Sequence, residues 1–94
     1  MENLLYSTVD KGAIANLSFT KKINYTKVTG LYEKLISATT LGNVYHSKVT
    51  IYFHDDEGPK KTTTTIWATC KDYISLKGGA WIPVSKITNV EYNF

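Results

Sequence analysis

Three groups of side chains are capable of chemistry. His54-Asp55-Asp56-Glu57 sets an imidazole beside three carboxylates. Metal loops and metal-binding helices space such ligands so that they converge on one ion. Four adjacent residues on a turn cannot converge, so the run reads as a solvated acidic turn. Cys70 with His46 or His54 would supply a thiolate and a base. The sequence around Cys70 has no strand-to-helix elbow, no helix start and no oxyanion loop. Free cysteine is among the most often buried residues, so Cys70 is expected as a small core residue. Gly78-Gly79 is too short a glycine pattern to cradle phosphate and reads as a hairpin turn. No catalytic, cofactor-binding or metal-binding residue follows, and neither an enzyme nor a small-molecule ligand is expected.

Binding chemistry remains. The stretch "KKTTTTIWATC", residues 60–70, places Trp67 among β-branched residues just after two lysines. Tyr52, Tyr73 and Trp81 fall in neighbouring segments, as do Lys71, Lys77 and Lys86. Aromatic faces with nearby cations suit either a protein partner or the stacked bases of single-stranded nucleic acid. The candidate partner-binding residues are Tyr52, Trp67, Tyr73, Trp81, Lys60, Lys61 and Lys77.

These side chains must be held by regular elements. "TKVTGLYEKLISATTLGN", 26–43, repeats Val28, Leu31, Tyr32, Leu35, Ile36 and Thr39 at helical spacing, which predicts an amphipathic helix over about 27–41. Thr26 suits its N-cap and Gly42-Asn43 its stop. From Lys48 the period becomes two. Val49, Ile51 and Phe53 alternate with polar neighbours, "DDEGPK" is a charged turn, and 60–70 follows as a strand. "YISLK" and "AWIPV" flank the glycine turn, Ser85-Lys86 makes a short turn, and "ITNVEYNF" closes. Pro83 puts its strand at an edge or turns its nitrogen outward. Residues 1–25 read either as a hairpin turning at Asp10-Lys11-Gly12 or as a short helix around Ala13 to Phe19, with strands favoured. The whole is one mainly-β (α+β) domain: a five-stranded SH3-like or Sm-like small barrel over about 48–94, preceded by the helix and an N-terminal extension.

Strand phase then orients the candidates. Ile66, Ala68 and Cys70 share one face, with Ile74, Leu76, Ile82 and Val84 inward beside them. Trp67, Tyr73, Trp81 and Tyr52 are left on the outer wall. Two exposed tryptophans at ~150–250 Å² each exceed what soluble monomers usually leave bare. Three covers suit this wall: the chain's own helix, which also needs an apolar partner and is the economical choice; another protein or a second copy; or single-stranded nucleic acid with lysines at its phosphates.

The segments "VTIYF", "TTIWATCKDYISL" and "WIPVSKITNVE" after a helix are similar to the layout of the Rho-binding antiterminator family, small bacterial proteins with an Sm-like barrel preceded by a helix. The similarity spans about Lys27 to Glu91 and is best in "IPVSKITNV". Bacterial pleckstrin-like domains carry segments resembling "LKGGAWIPVSKITNV". The antiterminator family meets its partner through an acidic surface whereas this chain is basic, so the resemblance implies a fold and no functional residue.

Composition bounds the rest. The chain has 94 residues, 43% hydrophobic and 20% charged, which suits one globular domain. Its net charge is +3, with both halves positive, and every basic residue is lysine. A sequence-specific DNA reader would be expected to use arginine forks. "MENLL" lacks the basic and apolar start of a signal peptide, no apolar run is long enough for a bilayer, and a single cysteine fits a reducing compartment. The expectation is a cytoplasmic protein-binding or regulatory module, with nucleic-acid binding as the alternative.

Overall fold

A computed structural model of the chain describes residues 6–20 and 28–93. Among them the strands are β1 (Ser7–Thr8), β2 (Val49–Asp55), β3 (Gly58–Thr64), β4 (Ile66–Thr69), β5 (Tyr73–Leu76), β6 (Trp81–Pro83) and β7 (Ile87–Tyr92). One α-helix, α1, runs over Leu31–Tyr45, and 3-10 turns form at Lys11–Asn16 and Val84–Lys86. The strands make two sheets, one ordered β1-β3-β2-β7 and the other β4-β5-β6. The chain is thus mainly β with one helix. No ladder joins the two sheets among the described residues, so the closed five-stranded barrel is not seen.

Alternation works where it is unbroken. Val49, Ile51 and Phe53 of β2 are fully buried, and so are Ile74 and Leu76 of β5 and Ile82 of β6. With Ile66, Ile87 and Val90 they fill the space between the sheets. Burying each such side chain contributes about 1.5–3 kcal/mol before the cost of ordering it. The hairpin β2–β3 turns at Asp56-Glu57 alone, because Gly58, Pro59 and Lys60 already pair with β2. Pro83 lies on β6, an edge strand, as its missing N–H requires.

The stretch 60–70 is not one strand. It leaves the first sheet at Thr64 and enters the second at Ile66, with Thr65 between. The register of β4 against β5 then shifts between Ile66 and Ala68, the signature of a β-bulge. Past that point inward and outward positions exchange. Thr69 pairs with buried Ile74 and Ala68 with half-buried Ser75, and both are themselves half-buried. Cys70, expected in the core, is exposed.

The helix starts later and ends later than its sequence pattern implies. Gly30 is its N-cap in the left-handed region, at φ 74°. Thr26, the expected cap, lies outside the described residues. The helix passes through Gly42-Asn43 and stops at His46, whose left-handed backbone lets its N–H reach the Gly42 carbonyl at 3.0 Å. Its buried line is Leu31, Leu35, Ala38 and Gly42, while Tyr32 and Ile36 are exposed. Gly42 is therefore an approach point and not a stop: a Cβ there would lie 2.6 Å from the Ile66 carbonyl oxygen.

That carbonyl locates the helix. Lys77 N–H donates to the Thr65 carbonyl at 3.0 Å, so Thr65 faces β5. Carbonyls alternate along a strand, so Ile66 points off the other edge. Helix α1 thus lies along the free edge of β4, and Thr69 ties it there with a bond to the Leu35 carbonyl (3.2 Å) and to Thr39 Oγ1 (2.6 Å).

Among the described residues the N-terminal hairpin is not seen; residues 1–5 and 21–25 of that expectation lie outside them. Residues 7–8 pair in parallel with Lys60-Lys61 of β3. A 3-10 turn follows, started by Asp10, whose carboxylate accepts from Gly12 N–H at 2.8 Å. Buried Ile14 anchors this turn in the core, so the short-helix alternative is the nearer of the two.

Candidate functional site

The outer face of β4-β5-β6 carries the tryptophans. Ala68, Ser75 and Trp81 lie in one row across the three strands, and Tyr73 pairs with Pro83 two rows on. Trp67 emerges at the bulge, beside Ala68. Trp67 is 48% exposed, Tyr73 43% and Trp81 57%. The rings of Tyr73 and Trp81 touch, with centroids 5.8 Å apart and planes inclined at 54°.

The helix does not cover this face. It is held at the edge of β4, where it shields backbone groups that would otherwise invite another strand. The expected match of helix stripe to aromatic wall is therefore replaced by helix on edge, with the wall left open.

A cleft of about 180 Å³ adjoins the face, between the 3-10 turn 11–16 and the β5–β6 turn. Its walls are Ile14, Leu17, Phe19, Ala80 and Trp81, with Ala15 and Gly79 at the rim. Phe19 packs on core Phe53 at 6.0 Å, which fixes that wall. A second hollow shares Ala15, Gly79 and Ala80 with the first and adds Lys11 and Lys77. Gly78 and Gly79 have φ near +95°, so two adjacent left-handed residues shape the turn between Lys77 and Trp81. Sequence patterning missed this cleft because the 3-10 turn that forms half of it carries no periodic signal.

The other candidates go elsewhere. Tyr52 lies on β2 in the four-stranded sheet, edge-on to Tyr6 at 4.9 Å, with its hydroxyl donating to Glu91. That carboxylate, then burial, pushes its phenol up to about 12. Tyr52 thus has its own partners and does not join the tryptophans. Lys61 is in the same sheet, opposite Tyr52 on β3.

Lys60 is no surface cation. It is buried, and its ammonium donates to Asp55 Oδ1 at 2.8 Å and to Glu57 Oε1 at 3.3 Å. Burial works against its charge, but the bonds to Asp55 and Glu57 outweigh that and hold its pKa above the usual lysine value. Of the three candidate lysines only Lys77 stays exposed beside the aromatic face.

The acidic turn is likewise not solvated throughout. Asp55 is 2% exposed, and its Oδ1 also accepts from the N–H groups of Glu57 (3.0 Å) and Gly58 (3.1 Å). Asp56 holds the end of the segment 6–20 instead, accepting from Thr20 N–H and Oγ1 at 2.8 and 2.6 Å. His54 is buried against Tyr6, and burial lowers its pKa. Among the described residues no group of His, Cys, Asp and Glu is arranged to hold a metal ion. Among them, too, no helix is long and apolar enough to cross a membrane.

No family model, curated protein or solved structure matches the chain. The aromatic face has to be read from its own geometry.

Proposed function

We propose that the chain is a non-enzymatic, cytoplasmic protein-binding module acting through the outer face of β4-β5-β6. The observation that carries this reading is the uncovered trio Trp67, Tyr73 and Trp81. Tryptophan and tyrosine are the residues most enriched at binding hot spots. Here they stand on a sheet, so little side-chain entropy is lost when a partner covers them. Lys60 is held in an internal ion pair and Lys61 lies in the other sheet, which removes two of the three candidate lysines from the rings. The small-barrel reading belongs with this proposal. β7 pairs antiparallel with β2, bringing the ends of 49–92 together as a closed Sm-like or SH3-like barrel would require.

A comparative pull-down tests the reading. The triple variant Trp67→Ser/Tyr73→Ser/Trp81→Ser removes three half-exposed rings that are not part of the fully buried core, and circular dichroism checks that it folds. A protein retained from the source-cell lysate by the parent and lost by the variant is the expected result. Equal retention by both refutes the face as the binding surface.

A further inference from the structure

The cleft beside Trp81 and the hollow beside it differ in chemistry. One is walled by Ile14, Leu17, Phe19 and Trp81. The other, sharing a rim with it, presents Lys11 and Lys77. Neither lysine makes an ion pair with a described residue. Resting on the protein-binding reading, we propose that this paired site takes an extended acidic peptide: an apolar side chain in the cleft and a neighbouring carboxylate between Lys11 and Lys77.

Size and charge select this occupant. At about 180 Å³ the apolar cleft suits a single side chain, and the adjoining hollow of about 300 Å³ leaves room for the residues beside it. The exposed parts of Trp67, Tyr73 and Trp81 amount to roughly 250–350 Å², taking ~150–250 Å² per ring. A stable dimer needs about 800 Å² from each partner, and two copies of a chain with net charge +3 repel. A second copy is therefore disfavoured. Single-stranded nucleic acid carries a phosphate at every nucleotide and needs cations spaced along its track. Only Lys11 and Lys77 border the paired site, which is too few for such a track. The rings of Tyr73 and Trp81 are inclined at 54° and do not form a parallel stacking platform. An extended peptide advances ~3.3 Å per residue, so an anchor and an acid one or two positions apart span the shared rim.

Random peptides displayed on phage and panned against the full chain test the proposal. The expected enrichment is of peptides with Leu, Ile, Phe or Trp within about two positions of Asp or Glu. Synthetic forms of these peptides should bind the parent chain and lose roughly 10-fold in affinity on Lys11→Glu/Lys77→Glu. They should not bind Ala15→Glu, which fills the rim from an exposed position, or Trp81→Ser. The charge-reversed variant should in turn enrich basic peptides. No enrichment, enrichment without acidic preference, or equal binding to Ala15→Glu overturns the proposal. So does salt-sensitive binding of single-stranded oligothymidylate abolished by Lys11→Glu/Lys77→Glu, which would assign the site to nucleic acid. Each of these results leaves the pull-down on Trp67, Tyr73 and Trp81 to decide the broader reading separately.

Discussion

Gly42→Ala separates helix propensity from helix placement, because the two give opposite signs. Gly42 has ordinary helical backbone angles, so alanine there should favour the helix by up to ~1 kcal/mol. In the folded chain the added Cβ would meet the Ile66 carbonyl oxygen at 2.6 Å and Thr65 Cγ2 at 2.9 Å. The first contact is with backbone in β4 and cannot rotate away. Overpacking of this kind costs about 1–3 kcal/mol, and an immovable partner points to the upper part of that range. The net expectation is a loss of about 2 kcal/mol. In urea, with a slope near 1–1.5 kcal/mol per molar, the midpoint should fall by roughly 1–2 M at unchanged slope. Asn43→Ala is the control: one position on, exposed, and free of this contact, it should raise stability by a few tenths of a kcal/mol. A Gly42→Ala chain as stable as the parent, or more so, would refute the close approach of α1 to the β4 edge. With it would go the argument that the helix is held away from the aromatic face.

Three further outcomes follow from the same structure. Asp55→Asn should cost about 3–5 kcal/mol in chemical denaturation, because it leaves the buried Lys60 ammonium without its main partner, whereas Glu57→Gln, altering an exposed carboxylate, should stay within about 0.5 kcal/mol. Stability should fall as pH drops below about 6.5: burial depresses the folded-state pKa of His54, so the unfolded chain binds the proton first, with a slope of at most ~1.4 kcal/mol per pH unit. His54→Gln should flatten that slope in melts across the range, and an unchanged slope would assign it to other groups. Cys70 should react stoichiometrically with a thiol reagent in the native chain and leave the melting temperature unchanged; labelling that requires denaturant would restore it to the core.

Much of the fold is legible in the sequence wherever one physical rule acts alone. Alternation in β2, β5 and β6 identifies Val49, Ile51, Phe53, Ile74, Leu76 and Ile82 as core, because nothing interrupts those ladders. The existence of α1 is equally plain, but its orientation is not. The sequence stripe includes Tyr32 and Ile36, whereas the buried line includes Ala38 and Gly42, whose small size lets the helix close on an edge. Size at a close contact outweighed hydrophobicity. Charge misled in the same way at Lys60 and Asp55. Each looks solvated alone, and only the β2–β3 register brings them together five residues apart and buried. The cleft was out of reach because Lys11–Asn16 is fixed by tertiary anchoring through Ile14, not by a local period.

The bulge in β4 connects these errors to function. Uninterrupted alternation from Ile66 would turn Ala68 and Cys70 inward and Thr69 outward. The shift at Trp67 turns Thr69 toward α1 instead, where its hydroxyl reaches the Leu35 carbonyl and Thr39. One inserted residue thus anchors the helix at the sheet edge and leaves Trp67 and Ala68 on the outer side. The edge is closed at the expense of the face. Full cover of the exposed rings would contribute roughly 6–9 kcal/mol, while association costs an estimated 4–15 kcal/mol. On the proposed reading, the aromatic face alone would support only weak and reversible binding. A partner of useful affinity would have to draw on a second contact, and the cleft bounded by Trp81, with the hollow of Lys11 and Lys77 sharing its rim, is contiguous with the face.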